Sequence, residues 1–288
     1  MTGQRWPLLA REWRLFFQPP GKHGYPGLFW ASLALALPLL YQAVVAYGIE
    51  PGFDASVAYR LCAYWLIWLT CLRACMNSAA SMAHEMEHHS LSLVRQLPRS
   101  GGLWGLLGSK ALLVAFPLVL EWLGFGLITL LLCGLGVLSP EQLSWRYPLV
   151  AACSSAFFIA LGLWIGAGLG ESDRAASNAR VAVVMSLVGW ALLEQVLKGP
   201  ILLIGALIYV ALVLRSTPRV ASAFQGGVVS LVLLLLLPQF YLLGDLQLAQ
   251  LSPLAAALRP ELAQDNCLLY VIAALLITGF NYRKLRSL

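Results

Sequence analysis

Apolar residues run in stretches of about twenty along most of this chain, and that pattern limits its folds more than any other feature. A helix that crosses the hydrocarbon core of a bilayer needs roughly 20 mainly apolar residues. Eight such runs can be drawn, at about 28–47, 58–82, 107–136, 148–169, 181–197, 200–214, 224–243 and 267–282. Composition agrees with the runs: of 288 residues, 60% are hydrophobic and 11% charged. Soluble domains carry about 25% charge, so lipid must solvate most of this surface. The same figures exclude disordered, collagenous and disulfide-scaffold chains. The net charge of +6 does not indicate a nucleic-acid groove, because the basic residues are scattered between apolar runs.

Charge placement sets the expected topology. With the N-terminus in the cytoplasm, the inner segments hold Arg5, Arg11, Arg14, Lys22, Arg95, Arg99, Lys110, Arg174, Arg180, Arg215, Arg219, Arg283, Lys284 and Arg286. The outer segments hold only Arg60, Arg146, Lys198 and Arg259, and Arg73 lies within a run. This bias follows the positive-inside rule and puts both ends in the cytoplasm, so the number of crossings is even. The expected fold is all-α, a polytopic membrane protein with eight transmembrane helices in one domain over 1–288. The count becomes six if 181–214 does not cross, since only Lys198-Gly199-Pro200 separates two of its runs. The longest loops, about 83–106 inside and 244–266 outside, leave no room for a soluble domain.

Residues 4–17 are amphipathic rather than apolar. Trp6, Leu9, Trp13 and Phe16 or Phe17 recur near helical spacing, with Arg11 and Arg14 between them. Such a helix lies in the inner interface, its rings among the headgroups. The arginines there, and the lack of a compact apolar core, argue against a cleavable leader. The six cysteines lie in or beside apolar runs without a C-x-x-C pair, which reads as small apolar residues rather than a disulfide or zinc framework.

Three patterns could carry chemistry. His84-Glu85-Met86-Glu87-His88 is an H-E-x-x-H, with His89 next; on a helix, His84 and His88 share a face and could hold zinc with Glu85 as base. Catalytic zinc usually takes a third protein ligand, and the remaining histidine is His23. An intramembrane zinc metalloprotease is therefore the alternative reading, not the leading one. Charges inside the runs come next: Arg73, Glu121 and Glu194 each cost about 2.5–3.5 kcal/mol to insert and should face protein or water. Arg73, Asn77, Ser81 and either His84 or Glu85 form one stripe, and Arg73 should pair with Glu121 on the neighbouring antiparallel helix. The pair either lines a path or locks two helices. Gly102-x-x-Gly105-x-x-Gly108-Ser109-Lys110 has the wrong order for a P-loop and follows no strand, so no ATP site is expected here. The series Gly124, Gly126, Gly134, Gly136 and Gly162, Gly166, Gly168, Gly170 suit close helix packing.

The third pattern is the inner loop, Glu85 to Pro98. Two acids end a span, a short amphipathic segment with Leu91, Leu93, Val94 and Leu97 follows, and Pro98 stops it. Here the sequence resembles the permease subunits of ABC transporters of the type-2 exporter class, whose second span is followed by a pattern like E-x-E-x-G-T-L-E-L-L-L-x-x-P and then a G-K. Glu85 and Glu87 match the acids, Ser90-Leu91 the T-L, Leu93-Val94 the apolar pair, and Pro98 the proline. Gly108 and Lys110 match the G-K with one residue inserted; His89 replaces the glycine and Ser92 the third acid. Arg11-Glu12-Trp13-Arg14 looks like the family's elbow helix, and Leu251-Ser252-Pro253 like its stretch before the last span. The resemblance implies that 88–98 is a coupling helix docking on a separate ATP-binding subunit, which carries ATP and Mg. It implies no cofactor and no catalytic residue in this chain, a homodimer or a heterodimer with a second permease, and a bacterial inner-membrane location. The extra hairpin at 181–214 departs from the family's six-span core.

Overall fold

A computed structural model describes residues 55–88, 102–189 and 251–287. The interfacial helix at 4–17, the runs at 28–47, 200–214 and 224–243, and Glu194 lie outside the described residues. Every extended element among the described residues is helical, and no strand occurs. Helix α1 is Ala55–Glu87, α2 is Gly102–Gly134, and α3 is Arg146–Leu169, preceded by a short 3-10 turn at Pro140–Gln142. Helix α4 is Ser172–Val184 and widens into a π-type turn at Met185–Gly189. Helix α5 is Pro253–Leu258 and α6 is Pro260–Ser287.

Three of these helices are long and apolar enough to cross a membrane: Gly102–Gly134, Arg146–Leu169 and Leu262–Ser287. Among the described residues the fold is all-helical, and these three apolar helices suit it to a membrane. Helix α1, which covers the run at 58–82, is the interior one of the long helices, with Thr70, Ser78 and Glu85 among its buried residues. It packs most extensively on α3, then on α4 and α2. Its Thr70 and Ser78 are buried, and each hydroxyl donates to carbonyls three and four residues back on its own helix. At 33 residues, α1 is about 50 Å long, more than the hydrocarbon core requires.

Side-chain contacts fix the directions. Helices α1 and α3 are parallel, since Tyr59 meets Tyr147 at one end and Cys71 meets Ser154 further along. Helix α6 runs parallel to α3: Tyr270 contacts Phe157, Asn281 Nδ2 donates to the Ala160 carbonyl at 3.0 Å, and Lys284 lies over Trp164. The final helix therefore shares the direction of α1 and α3, the parity common to six- and eight-span arrangements.

The α1–α3 seam is built on missing side chains. A Cβ on Gly162 would collide with Ser78 Oγ and the Cys75 carbonyl. A Cβ on Gly166 would collide with the Ala79 carbonyl and stand 2.9 Å from Met82 Cβ. These glycines let two backbones touch, as small residues do between helices in lipid. Helix α3 then ends at Gly170, whose φ of 70° is left-handed and reverses the chain into α4. Ala175, Ala179, Val183 and Leu187, one turn apart, form the buried edge of α4. The other glycine series behaves differently: a Cβ at Gly124, Gly126, Gly134 or Gly136 meets nothing within 4 Å among the described residues.

The stretch before α6 also departs from expectation. Read as part of an outer loop, Ser252 to Ala257 is instead buried. Ser252 Oγ donates to the Leu187 carbonyl at 2.7 Å, where the π-type turn disrupts regular pairing, and accepts from Leu254 N at 3.2 Å as the cap of α5. Tyr270 donates to the Leu251 carbonyl. Buried backbone must be satisfied by protein, and one serine serves two elements at once. Ser252→Ala is expected to lower stability by about 2 kcal/mol, from a lost cap and a lost buried bond, read as a lower thermal midpoint of the purified protein.

Candidate functional site

The chemistry-bearing residues among those described lie along one stripe of α1 and the facing side of α2. One α-helical turn separates Arg73 from Asn77, Asn77 from Ser81 and Ser81 from Glu85, so all four share a face. Two ion pairs join this stripe to α2.

The deeper pair is Arg73 with Glu121. Arg73 Nη1 donates to Glu121 Oε1, as the mid-span positions anticipate. The burial is unequal: the Arg73 side chain keeps 22% of its surface exposed and Glu121 only 2%. The second carboxylate oxygen, Glu121 Oε2, is buried with no hydrogen-bond partner, as are Trp122 Nε1 beside it in sequence and Trp68 Nε1 on α1. Asn77 is half-buried on the same face.

The second pair sits at the end of α1. Lys110 Nζ donates to Glu85 Oε1 at 3.3 Å, to Ser81 Oγ at 2.9 Å and to the Ser81 carbonyl at 3.1 Å. Lys110 and Glu85 keep only 2% and 1% of their side-chain surfaces exposed. The stripe thus ends in Glu85 and not in His84. Of the two acids that close the span, Glu85 turns inward to Lys110, while Glu87 is exposed. The remainder of the motif, Ser90, Leu91, Leu93, Val94, Leu97 and Pro98, lies outside the described residues, as do Arg11, Glu12, Trp13 and Arg14.

His84 and His88 occupy the exposed side of the helix end, their ring centroids 4.2 Å apart and edge-on. Partial burial, then the neighbouring His88, push His84 below the ordinary histidine pKa. Glu85, the base in an H-E-x-x-H reading, is held by Lys110. Among the described residues, no group of three or more His, Cys, Asp or Glu is placed to hold a metal ion. The six cysteines are free thiols, Cys71, Cys75 and Cys267 buried and Cys62, Cys133 and Cys153 half-buried.

Two residues matter more than the sequence reading allowed. Sequence alone places Lys110 among the inner basic residues and in a G-K motif, and Ser252 in L-S-P, without a partner for either. The signal for Lys110 was present: a lone cation near the start of an apolar helix, close to the two acids that end the preceding one. The chain matches no protein-family model and no curated protein.

Proposed function

We propose that this chain is the membrane-spanning subunit of an ATP-driven exporter, similar to the type-2 class of ABC transporters. The observation that supports the reading best is the end of α1. The helix closes on an inward acid fixed to the next helix and an outward acid, Glu87, directly before the amphipathic segment. An exposed acid beside Leu91, Leu93, Val94 and Leu97 suits docking on a basic, grooved partner.

In this reading the chain is not itself an enzyme. A separate ATP-binding subunit carries ATP and Mg, and the permease works as a homodimer or beside a second permease. ATP closes the partner pair, the 88–98 segment is pushed, and the spans shift between two arrangements that ATP biases. Arg73 and Glu121, with Asn77 and Glu194, either line the path or lock neighbouring helices, and the elbow helix at 4–17 anchors the rim. The protein sits in a bacterial inner membrane with both termini cytoplasmic and eight spans. With so little outer domain, its substrate is apolar or amphipathic and enters from the inner leaflet. The zinc-protease alternative is disfavoured because Lys110 occupies the carboxylate that would act as base.

The test is co-purification with the ATPase encoded beside this gene. Wild type is expected to recover a stoichiometric complex, and Glu87→Arg with Leu91→Asp to lose it while remaining folded. Recovery of no ATPase by wild type, with one equivalent of zinc bound instead and lost on His84→Ala or His88→Ala, would overturn the proposal.

A further inference from the structure

We infer that the Glu85–Lys110 pair is a positioning clasp, which sets the register of α1 against α2 and so holds the two ends of the intervening loop at a fixed separation. The clasp itself follows from the geometry; its purpose, presenting a docking segment to an ATPase, rests on the proposed function.

Burying an ion pair is costly. An ammonium and a carboxylate withdrawn from water lose more hydration than their attraction commonly returns, and apolar residues of similar size often serve a core as well or better. Lys110 and Glu85 are nonetheless almost fully buried. What a charged contact supplies and an apolar one does not is register: apolar side chains tolerate sliding, whereas donors must meet acceptors. Lys110 meets three acceptors, all within the single turn Ser81 to Glu85. A slide of α1 by one residue, about 1.5 Å, would displace all three acceptors at once.

Position gives this register its meaning. Glu85 lies three residues before His88, where the described part of α1 stops, and Lys110 lies eight residues into α2. The clasp therefore closes the base of the loop joining the two helices. A force applied to that loop meets α1 and α2 as one body, not as two helices free to shear. Lys110 and Glu85 are positioning residues and touch no substrate.

The test places spin labels on ketone-bearing amino acids incorporated at His88 and Gly108 of the full-length protein. Both positions are exposed, and a Cβ at Gly108 meets nothing within 4 Å. Pulsed electron resonance then reads their separation. Wild type is expected to give a single narrow distance peak, Lys110→Met to lose it, and Lys110→Arg, which keeps charge and donors, to retain it. If Lys110→Met yields no folded protein by circular dichroism, Glu85→Gln decides, since it keeps shape and removes the charge. A narrow, unshifted peak in the folded neutral variants overturns the clasp. In the association assay, Lys110→Met or Glu85→Gln is expected to lose the ATPase and Lys110→Arg to keep it; full retention by the neutral variants overturns the docking purpose. If wild type itself binds no ATPase, the proposed function falls, and the distance measurement still judges the clasp.

Discussion

Replacing Arg73 with Met is expected to destabilise the folded protein by about 3–5 kcal/mol, the usual cost of stranding one member of a buried ion pair. The asymmetry of burial sets the sign of the whole series. Glu121 is the deeper partner and already has one oxygen without a hydrogen bond, so it cannot recover its lost partner from water. Arg73 retains some exposure, so Glu121→Gln, which still offers Arg73 an acceptor, should cost much less. The double variant Arg73→Met with Glu121→Met should return close to wild type, because no charge is left stranded. Thermal midpoints of the four proteins in one detergent give the comparison. A double variant as unstable as Arg73→Met would mean that the residues act separately. The same double variant separates the two roles open to the pair. If it folds and transports normally, the pair is a lock between helices; if it folds and transport is lost, the pair belongs to the path.

The other large effect is expected at Gly166. A leucine there must place its Cβ against the Ala79 carbonyl and the Met82 side chain, and the backbone atom cannot swing aside as a flexible side chain would. Overpacking a tight interior costs about 1–3 kcal/mol, and a backbone clash belongs at or above the upper end. The expected outcome for Gly166→Leu is separation of α1 from α3 and loss of monodisperse protein in size-exclusion chromatography. Gly126→Leu is the control, since a Cβ there meets nothing within 4 Å among the described residues. Its helix should gain slightly, because glycine is about 1 kcal/mol worse than alanine in a helix interior. A Gly166→Leu protein as stable as the control would contradict the seam described above.

The contrast between the two glycine series shows what a sequence of this kind conceals. Both look alike as strings of small residues in apolar runs. Among the described residues only one packs against a neighbouring helix, because in lipid the outward and inward faces are equally apolar and the hydrophobic pattern carries little directional information. Polar residues retain direction, because each must find a partner. For that reason the Arg73–Glu121 pairing was readable from position alone, and so was the choice of helix over any other element. Helix ends were less readable: α4 begins at Ser172, well before the apolar run at 181–197, since its first turns are polar but still helical. Ser252 was misplaced for a related reason. A buried turn with a polar cap has the same composition as an exposed loop, and only the carbonyl of Leu187 distinguishes them.

The contacts along α1 and α2 differ in kind from one end to the other. At the Glu87 end and at mid-length the two helices are joined by charges. At the Tyr59 end they are joined by a ring pair, Tyr59 stacked on Phe125 with centroids 5.7 Å apart, while Tyr147 of α3 packs edge-on against Tyr59 and Tyr64. Ring pairs are worth about 0.5–1.5 kcal/mol each beyond their area and survive sliding and tilting, whereas a stranded buried charge costs several times that. The seam is therefore mechanically graded, stiff at one end and compliant at the other. A torque on this helix pair opens the aromatic end first, turning on the ionic end as its pivot.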